Sequence, residues 1–151
     1  AGSYRPAEPA EVLQAAMRVL AGQLRGTEML SSPQAVRDFL RIKLGTLEHE
    51  VFAVIHLDAQ HRVIEYVEMF RGTVTQTSVY PREVVKEAMA HNTAAIVLVH
   101  NHPSGVAEPS RADEHLTQTL KSALSLVDVR VIDHLIVAGP TILSFAERGL
   151  I

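Results

Sequence analysis

The chain has 151 residues, 47% of them apolar and 21% charged, a balance that fits one soluble globular domain and excludes a disordered chain. Lys and Arg number 14 against 17 Asp and Glu, giving a formal net charge of −3 with no basic block, which argues against a dedicated nucleic-acid binder. Cysteine is absent, and this removes disulfide scaffolds, thiolate zinc fingers, iron–sulfur sites, cysteine proteases and the Cys-dependent zinc deaminases.

From Glu8 to Leu24, the apolar residues Val12, Leu13, Ala16, Leu20 and Leu24 recur at helical spacing, which predicts an amphipathic helix. Thr27 to Ser32 reads as a linker. A second helix starts near Ser32-Pro33, carries Val36, Phe39, Leu40 and Leu44 on one side, and stops at Gly45. The texture then changes to β: Val51 to Leu57, the turn Asp58 to His61, and a second run from Arg62 to Phe70 form a hairpin signal. A shorter strand is expected through Thr73, Val74 and Thr77, and Pro81 opens a helix with Val84, Val85, Ala88 and Met89. The segment Ala95 to Val99 is apolar throughout, as a central strand covered on both faces requires. Ser110 to Leu126 has helical spacing, Val129 to Val137 reads as a strand, and Ile142 to Phe145 as another. Helices and strands alternate, so the expected class is α/β with a mixed sheet flanked by helices. The longest apolar run, Ala94 to Val99, is far short of the roughly 20 residues of a membrane span, and no secretory leader is visible. The expected compartment is the cytoplasm.

Chemistry concentrates in His100-Asn101-His102-Pro103-Ser104-Gly105 and the following Ser110-Arg111-Ala112-Asp113. His100 and His102 stand two apart at the end of the apolar strand, where alternate residues share a face, so both imidazoles can converge on one ion. Pro103 and Gly105 turn the chain off the sheet, and it returns as a helix with Asp113 in its first turn. Two imidazoles and one carboxylate are a zinc-type ligand set that leaves the fourth tetrahedral position open, the mark of a catalytic site. A lone His-x-His is common, and Ser110 with Asp113 is equally a helix-capping pattern. The two readings of Ser110 are compatible, because a hydroxyl can accept one hydrogen bond while donating another.

The spacing His100-x-His102, seven residues, Ser110, two residues, Asp113 resembles the full motif of the JAMM (MPN-type) metalloproteases. Phe70 to Thr73, Tyr80 to Val85, the His100 to Gly105 run, Leu126 to His134 and Ser144 to Gly149 narrow the resemblance to the RadC-like JAMM domain. It covers Ser32 to the C-terminus and sets residues 1–31 apart as an N-terminal helix and linker. Residues 1–31 are too few for the upstream helical domain that RadC-type proteins often carry, so the resemblance implies a short form or the C-terminal domain alone. The connection Gly139-Pro140 is shorter than the family pattern, a departure far from the motif. The implied fold resembles the cytidine deaminases: a mixed sheet sandwiched by helices, with zinc at a strand–helix junction. The implied zinc ligands are His100, His102 and Asp113. The family also implies a glutamate on an early strand that activates water at the zinc. Glu50, directly before the hydrophobic strand, is preferred for this role over Glu68. Ser110 is then expected to help stabilise the oxyanion, and the reaction to be amide hydrolysis of a peptide or isopeptide substrate.

Other residues carry weaker signals. For His134, in a strand interior, a core or edge position outweighs support of the metal ligands. Asn101 points to the opposite face from its neighbours, where a structural hydrogen bond is its natural role. His49, His56, His61, His91 and His115 read as surface or packing residues. Two other classes of function compete with the zinc peptidase: a DNA-repair accessory factor, and a metal-binding interaction module. Neither a membrane partner nor strong nucleic-acid binding is expected. At a net charge of −3, any DNA affinity should be of the non-specific kind and collapse with modest added salt. Titration of labelled duplex and single-stranded DNA in low and physiological salt checks this, and a tight complex that survives physiological salt overturns it.

Overall fold

Two segments, β1 (Val51–Leu57) and β3 (Ala95–Asn101), carry no acidic or basic residue other than one histidine each, and every one of their residues is buried. Such strands need apolar cover on both faces. A computed structural model, which describes residues 2–29, 32–73 and 77–151, shows how they obtain it. With β2 (Val63–Arg71), β4 (Arg130–Ala138) and β5 (Thr141–Ser144) they form one sheet in the order β2-β1-β3-β4-β5. Strand β1 is antiparallel to both β2 and β3, β3 is parallel to β4, and β4 is antiparallel to β5. The mixed sheet is sandwiched by helices, as the α/β reading expects. On one face, Leu24 of α1 (Pro9–Leu24) and Val36, Phe39, Leu40 and Leu44 of α2 (Pro33–Leu44) bury Ala53, Ile55, Val97 and Val99. On the other, Val84 and Ala88 of α3 (Pro81–Ala90) and Leu120 and Leu124 of α4 (Arg111–Ser125) bury Phe52, Val54, Ile96 and Leu98.

The connections follow from local chemistry. In the β1–β2 turn, His61 takes a positive φ of 59° while the Asp58 carboxylate accepts the Gln60 and Arg62 N–H groups. Gly139-Pro140 closes the β4–β5 hairpin, with Gly139 at φ 58° and Ala138 opposite Thr141. Parallel β3 and β4 cannot be joined so tightly, and α4 makes the crossover.

The expected first helix forms, but its apolar stripe is not buried along its length: Val12 and Leu13 are 55% and 52% exposed, while Met17 and Leu20 are partly covered and only Leu24 is fully so. The helix meets the core through its C-terminal half alone. The expected strand at Thr73, Val74 and Thr77 is absent at Thr73 and Thr77, and Val74 lies outside the described residues. Thr27, read as linker, does more than connect. Gly26 N–H donates to Val63 O, Val63 N–H to Thr27 O and Met29 N–H to His61 O, so this segment lines the outer edge where β2 begins. Among the described residues, no helix is long and apolar enough to cross a membrane.

Gly45 ends α2 where the helix approaches the β4–β5 turn. A Cβ there would collide with the Arg41 carbonyl oxygen and stand 2.9 Å from the Gly139 carbonyl oxygen, both of them main-chain atoms. Arg41 Nε, donating to Pro140 O at 2.8 Å, ties the same two segments. Gly45→Ala should therefore destabilise by about 1–3 kcal/mol through overpacking. Urea unfolding measures this, and an unchanged midpoint would refute it.

Candidate metal centre

Alternation along β3 sends His100 toward the α3–α4 side and Asn101 toward the α1–α2 side. The strand ends at Asn101, and His102 lies just beyond it, its N–H donating to Val137 O of β4 at 2.9 Å. Gly105, at φ 81°, then donates to His102 O and turns the chain away. The chain re-enters as α4 through a capping box. Ser110 Oγ accepts the Asp113 N–H at 3.0 Å, and Asp113 Oδ2 accepts the Ser110 N–H at 2.7 Å. The cap aims the Asp113 carboxylate back at the strand end.

The result is a tight triangle. His100 Nε2 lies 2.9 Å from His102 Nε2 and 3.1 Å from Asp113 Oδ1, and His102 Nε2 lies 3.2 Å from Asp113 Oδ2. Ligand atoms at 2.0–2.1 Å from one tetrahedral ion stand roughly 3.3 Å apart, so this spacing fits three ligands of one metal. The donor chemistry fits as well. His102 Nδ1 is 2.8 Å from Val106 O, and a carbonyl oxygen only accepts, so that nitrogen carries the hydrogen. In the neutral ring, Nε2 is then a lone pair facing the other two groups. His100, His102 and Asp113 could together hold one metal ion.

Charge reinforces the grouping. The Asp113 hydrogen bond raises the His102 pKa above its ordinary value; burial opposes this, and the Val106 carbonyl and the charges of Asp113 and Glu50 add to it. Burial alone would push the Asp113 carboxyl up, but hydrogen bonds from His100 and His102, the charge of His100 and the Ser110 N–H hold it well below the usual carboxylate range.

Glu50 and Ser110 share a cavity of about 470 Å³ with His102 and Asp113, its apolar wall supplied by Val79, Ala112 and Leu116. Glu50 precedes β1 and is held by main-chain and side-chain hydrogen bonds. Its N–H donates to Thr73 O, its C=O accepts from Gly72 N–H, and its carboxylate accepts from Thr77 Oγ1 at 3.1 Å. Asn101 makes the structural bonds expected of it, donating to His49 O at 2.9 Å and accepting from Val51 N–H at 2.7 Å, on either side of Glu50. Glu68 is placed elsewhere. It sits opposite Ala53 on β2, accepts from the Tyr66 hydroxyl at 3.2 Å, and does not line this cavity. A separate cavity of about 500 Å³ between α1, α2 and β2 is lined by Met17, Leu24, Phe39 and Tyr66, and among the described residues it holds no cluster of metal-ligating side chains.

His134 is the core residue expected, fully buried against Phe52 and Phe145, and it also touches one candidate ligand: its Nε2 lies 2.8 Å from His100 Nδ1. Its Nδ1 lies 2.7 Å from the Thr117 hydroxyl, a residue the sequence did not single out. Burial, with the nearby His100, lowers the His134 pKa, so this ring is neutral. His56 is likewise buried, stacked 4.5 Å from His91.

The model of the RadC-like JAB domain matches residues 30–150. The chain belongs to that family. The UPF0758 proteins of Leptothrix cholodnii and Methylibium petroleiphilum are each 61% identical to it over 150 residues, covering 99% of this chain and 68% of theirs. The UPF0758 protein of a Polaromonas species is 59% identical over 150 residues, 99% of this chain and 67% of its own.

In this RadC-like JAB domain the raised His102 pKa has a definite sign. The proton on His102 stabilises the ion-free fold fully below the ordinary value near 6.5 and is lost as pH rises through the raised one. Asp113 acts oppositely, contributing above about 3.8 and losing its contribution only as pH falls through its depressed value. A metal must displace the His102 proton. Zinc affinity, measured by calorimetry between about pH 6 and 8, should thus climb with pH and be accompanied by proton release. A flat affinity across that range would contradict this assignment.

Proposed function

We propose that this domain is a zinc-dependent hydrolase of amide bonds, in peptides or isopeptides. The observation that carries the reading is the convergence of His100, His102 and Asp113 at the β3–α4 junction, beside a cavity that also holds Glu50 and Ser110. Those three residues would hold the zinc, which when bound supplies Lewis-acid chemistry, acidifying water to a pKa of about 7 and polarising a carbonyl. Membership of the RadC-like JAB domain family supports the same class of chemistry.

The chain's own residues then divide the work. Glu50 takes a proton from the attacking water and returns it to the leaving amine. Its backbone bonds to Thr73 and Gly72 and the Thr77 hydroxyl fix its carboxylate in the cavity wall, so little reorganisation is needed. The Ser110 oxygen accepts the Asp113 N–H, and its hydroxyl hydrogen remains to donate to an oxyanion developing on the substrate carbonyl. Asp113 in the first turn of α4 is stabilised as an anion by the helix terminus, which suits a ligand that must stay charged.

Zinc analysis and turnover of a mixed library of peptides and isopeptides test the reading. His100→Ala should lose the metal. Glu50→Gln should keep zinc and fold but lose hydrolysis by on the order of 10²–10⁴-fold. Ser110→Ala should slow turnover and also lose about 1 kcal/mol of stability with the helix cap. Glu68→Gln, outside the cavity, should be silent. Full activity in Glu50→Gln, or no cleavage of any amide by zinc-loaded protein, would refute the proposal.

A further inference from the structure

Thr117, His134 and His100 form a buried chain of hydrogen bonds whose direction can be read from its fixed end. The Thr117 Oγ1 hydroxyl lies 2.8 Å from Asp113 O, one turn earlier in α4, and 2.7 Å from His134 Nδ1. His134 Nε2 lies 2.8 Å from His100 Nδ1. The Asp113 carbonyl can only accept, so the single hydroxyl hydrogen of Thr117 is committed to it. Thr117 must then accept from His134, which places the His134 hydrogen on Nδ1. Its Nε2 is left as a lone pair and accepts from His100 Nδ1–H. The reverse order would set Thr117 Oγ1 against Asp113 O with no hydrogen between them. Both Thr117 and His134 are 0% exposed, so water cannot supply one.

We infer that Thr117 and His134 are positioning residues: a one-way relay from the α4 backbone that holds the hydrogen of His100 on Nδ1 and keeps Nε2 open toward Asp113 and His102. The inference rests on the metal-site reading above and adds two residues to it. The relay begins at the main chain of Asp113 and ends at His100 Nδ1, and the other nitrogen of that ring, Nε2, lies 3.1 Å from the side chain of the same Asp113. His102 reaches the same tautomer by a different route, through the Val106 carbonyl. Supporting partners of this kind commonly set the tautomer and orientation of a metal-binding imidazole.

The test is ¹⁵N-detected tautomer assignment of His100 in the metal-free full chain at mildly alkaline pH, together with zinc affinity by competition with a chromophoric chelator. Wild type should show His100 protonated on Nδ1. Thr117→Val keeps the volume but removes the acceptor for His134 Nδ1–H. The His134 hydrogen is then free to move to Nε2 and donate to His100, which transfers the His100 hydrogen to its metal-facing nitrogen. Zinc affinity should fall about 10–100-fold. Thr117→Ser should restore both tautomer and affinity, which a role in packing alone would not do. His134→Phe, an aromatic ring of similar bulk beside Phe52 and Phe145, should lower zinc affinity to a similar degree. A wild-type His100 hydrogen found on Nε2 overturns the relay, whether or not any variant folds. So does wild-type zinc affinity that Thr117→Val and His134→Phe leave unchanged. Failure of wild type to bind zinc at all, with the Nδ1 tautomer in place, would instead count against the metal-site reading and leave the relay standing.

Discussion

The parallel pairing of β3 with β4 is the constraint from which the site follows. Two parallel neighbours cannot be joined by a hairpin, so the chain must leave the sheet at Asn101, travel along one face and re-enter at Arg130. Helix α4 makes that journey, and its first turn is therefore delivered to the end of β3. There the ladder is running out, which lets His102 fold back beside His100 rather than continue the strand. A helix that starts in this position must satisfy its own free N–H groups. Ser110 and Asp113 do so, and the same Asp113 carboxylate reaches both histidines. A residue that caps the helix is thus also the third candidate ligand.

The opposite face of the same strand end settles the position of Glu50. Regular pairing of β1 with β3 stops at Phe52 opposite His100. One step further, the Asn101 side chain takes over from the main chain, bonding to His49 O and Val51 N–H. The backbone on both sides of Glu50 is pinned by a residue that points away from the ligands. His100 and Asn101 are neighbours in sequence, and the pleat lets one serve the ligand triangle while the other fixes the entry to β1.

What could be read in advance is what depends on short-range spacing. The helix bearing Val36, Phe39, Leu40 and Leu44, the uniformly apolar β3, and the grouping of His100, His102 and Asp113 each lie within one element or one connection. What could not be read depends on register between strands. His134 stands opposite Leu98, which puts it on the face of His100, but a register shift between Ile96 and Val97 intervenes. Counting alternation from sequence gives no access to that shift. The same holds for Glu50 and Glu68. Glu68 pairs with Ala53 on the α1–α2 face only because the β1–β2 register slips between Phe52 and Ala53. Thr117 gave no signal because a threonine in a helix ordinarily bonds back to its own turn, as this one does, and its second contact is purely tertiary. The exposed start of α1 has a related cause: period specifies a stripe, while burial requires something to pack against it.

The way polar groups are buried separates the site from the rest of the core. His100, Asn101, Thr117 and His134 are all buried, and each is tied by hydrogen bonds that end on main-chain atoms or on a candidate ligand. His56 is buried too, yet among the described residues its Nε2 finds no hydrogen-bond partner. Burial, followed by the proximity of His91, lowers its pKa to about 4. Its Nδ1 is bonded to the Thr93 hydroxyl at 2.8 Å, and this half-satisfied imidazole, outside the ligand group, works as neutral packing against His91. The chained ones have defined hydrogen positions, because each bond dictates the next. Defined hydrogens are what a cation site needs from its imidazoles, since one hydrogen on the wrong nitrogen blocks a ligand outright. The polar core around His100 therefore does a different job from that of an apolar core of equal volume. It fixes which atoms present lone pairs, and with them where a positive charge can sit.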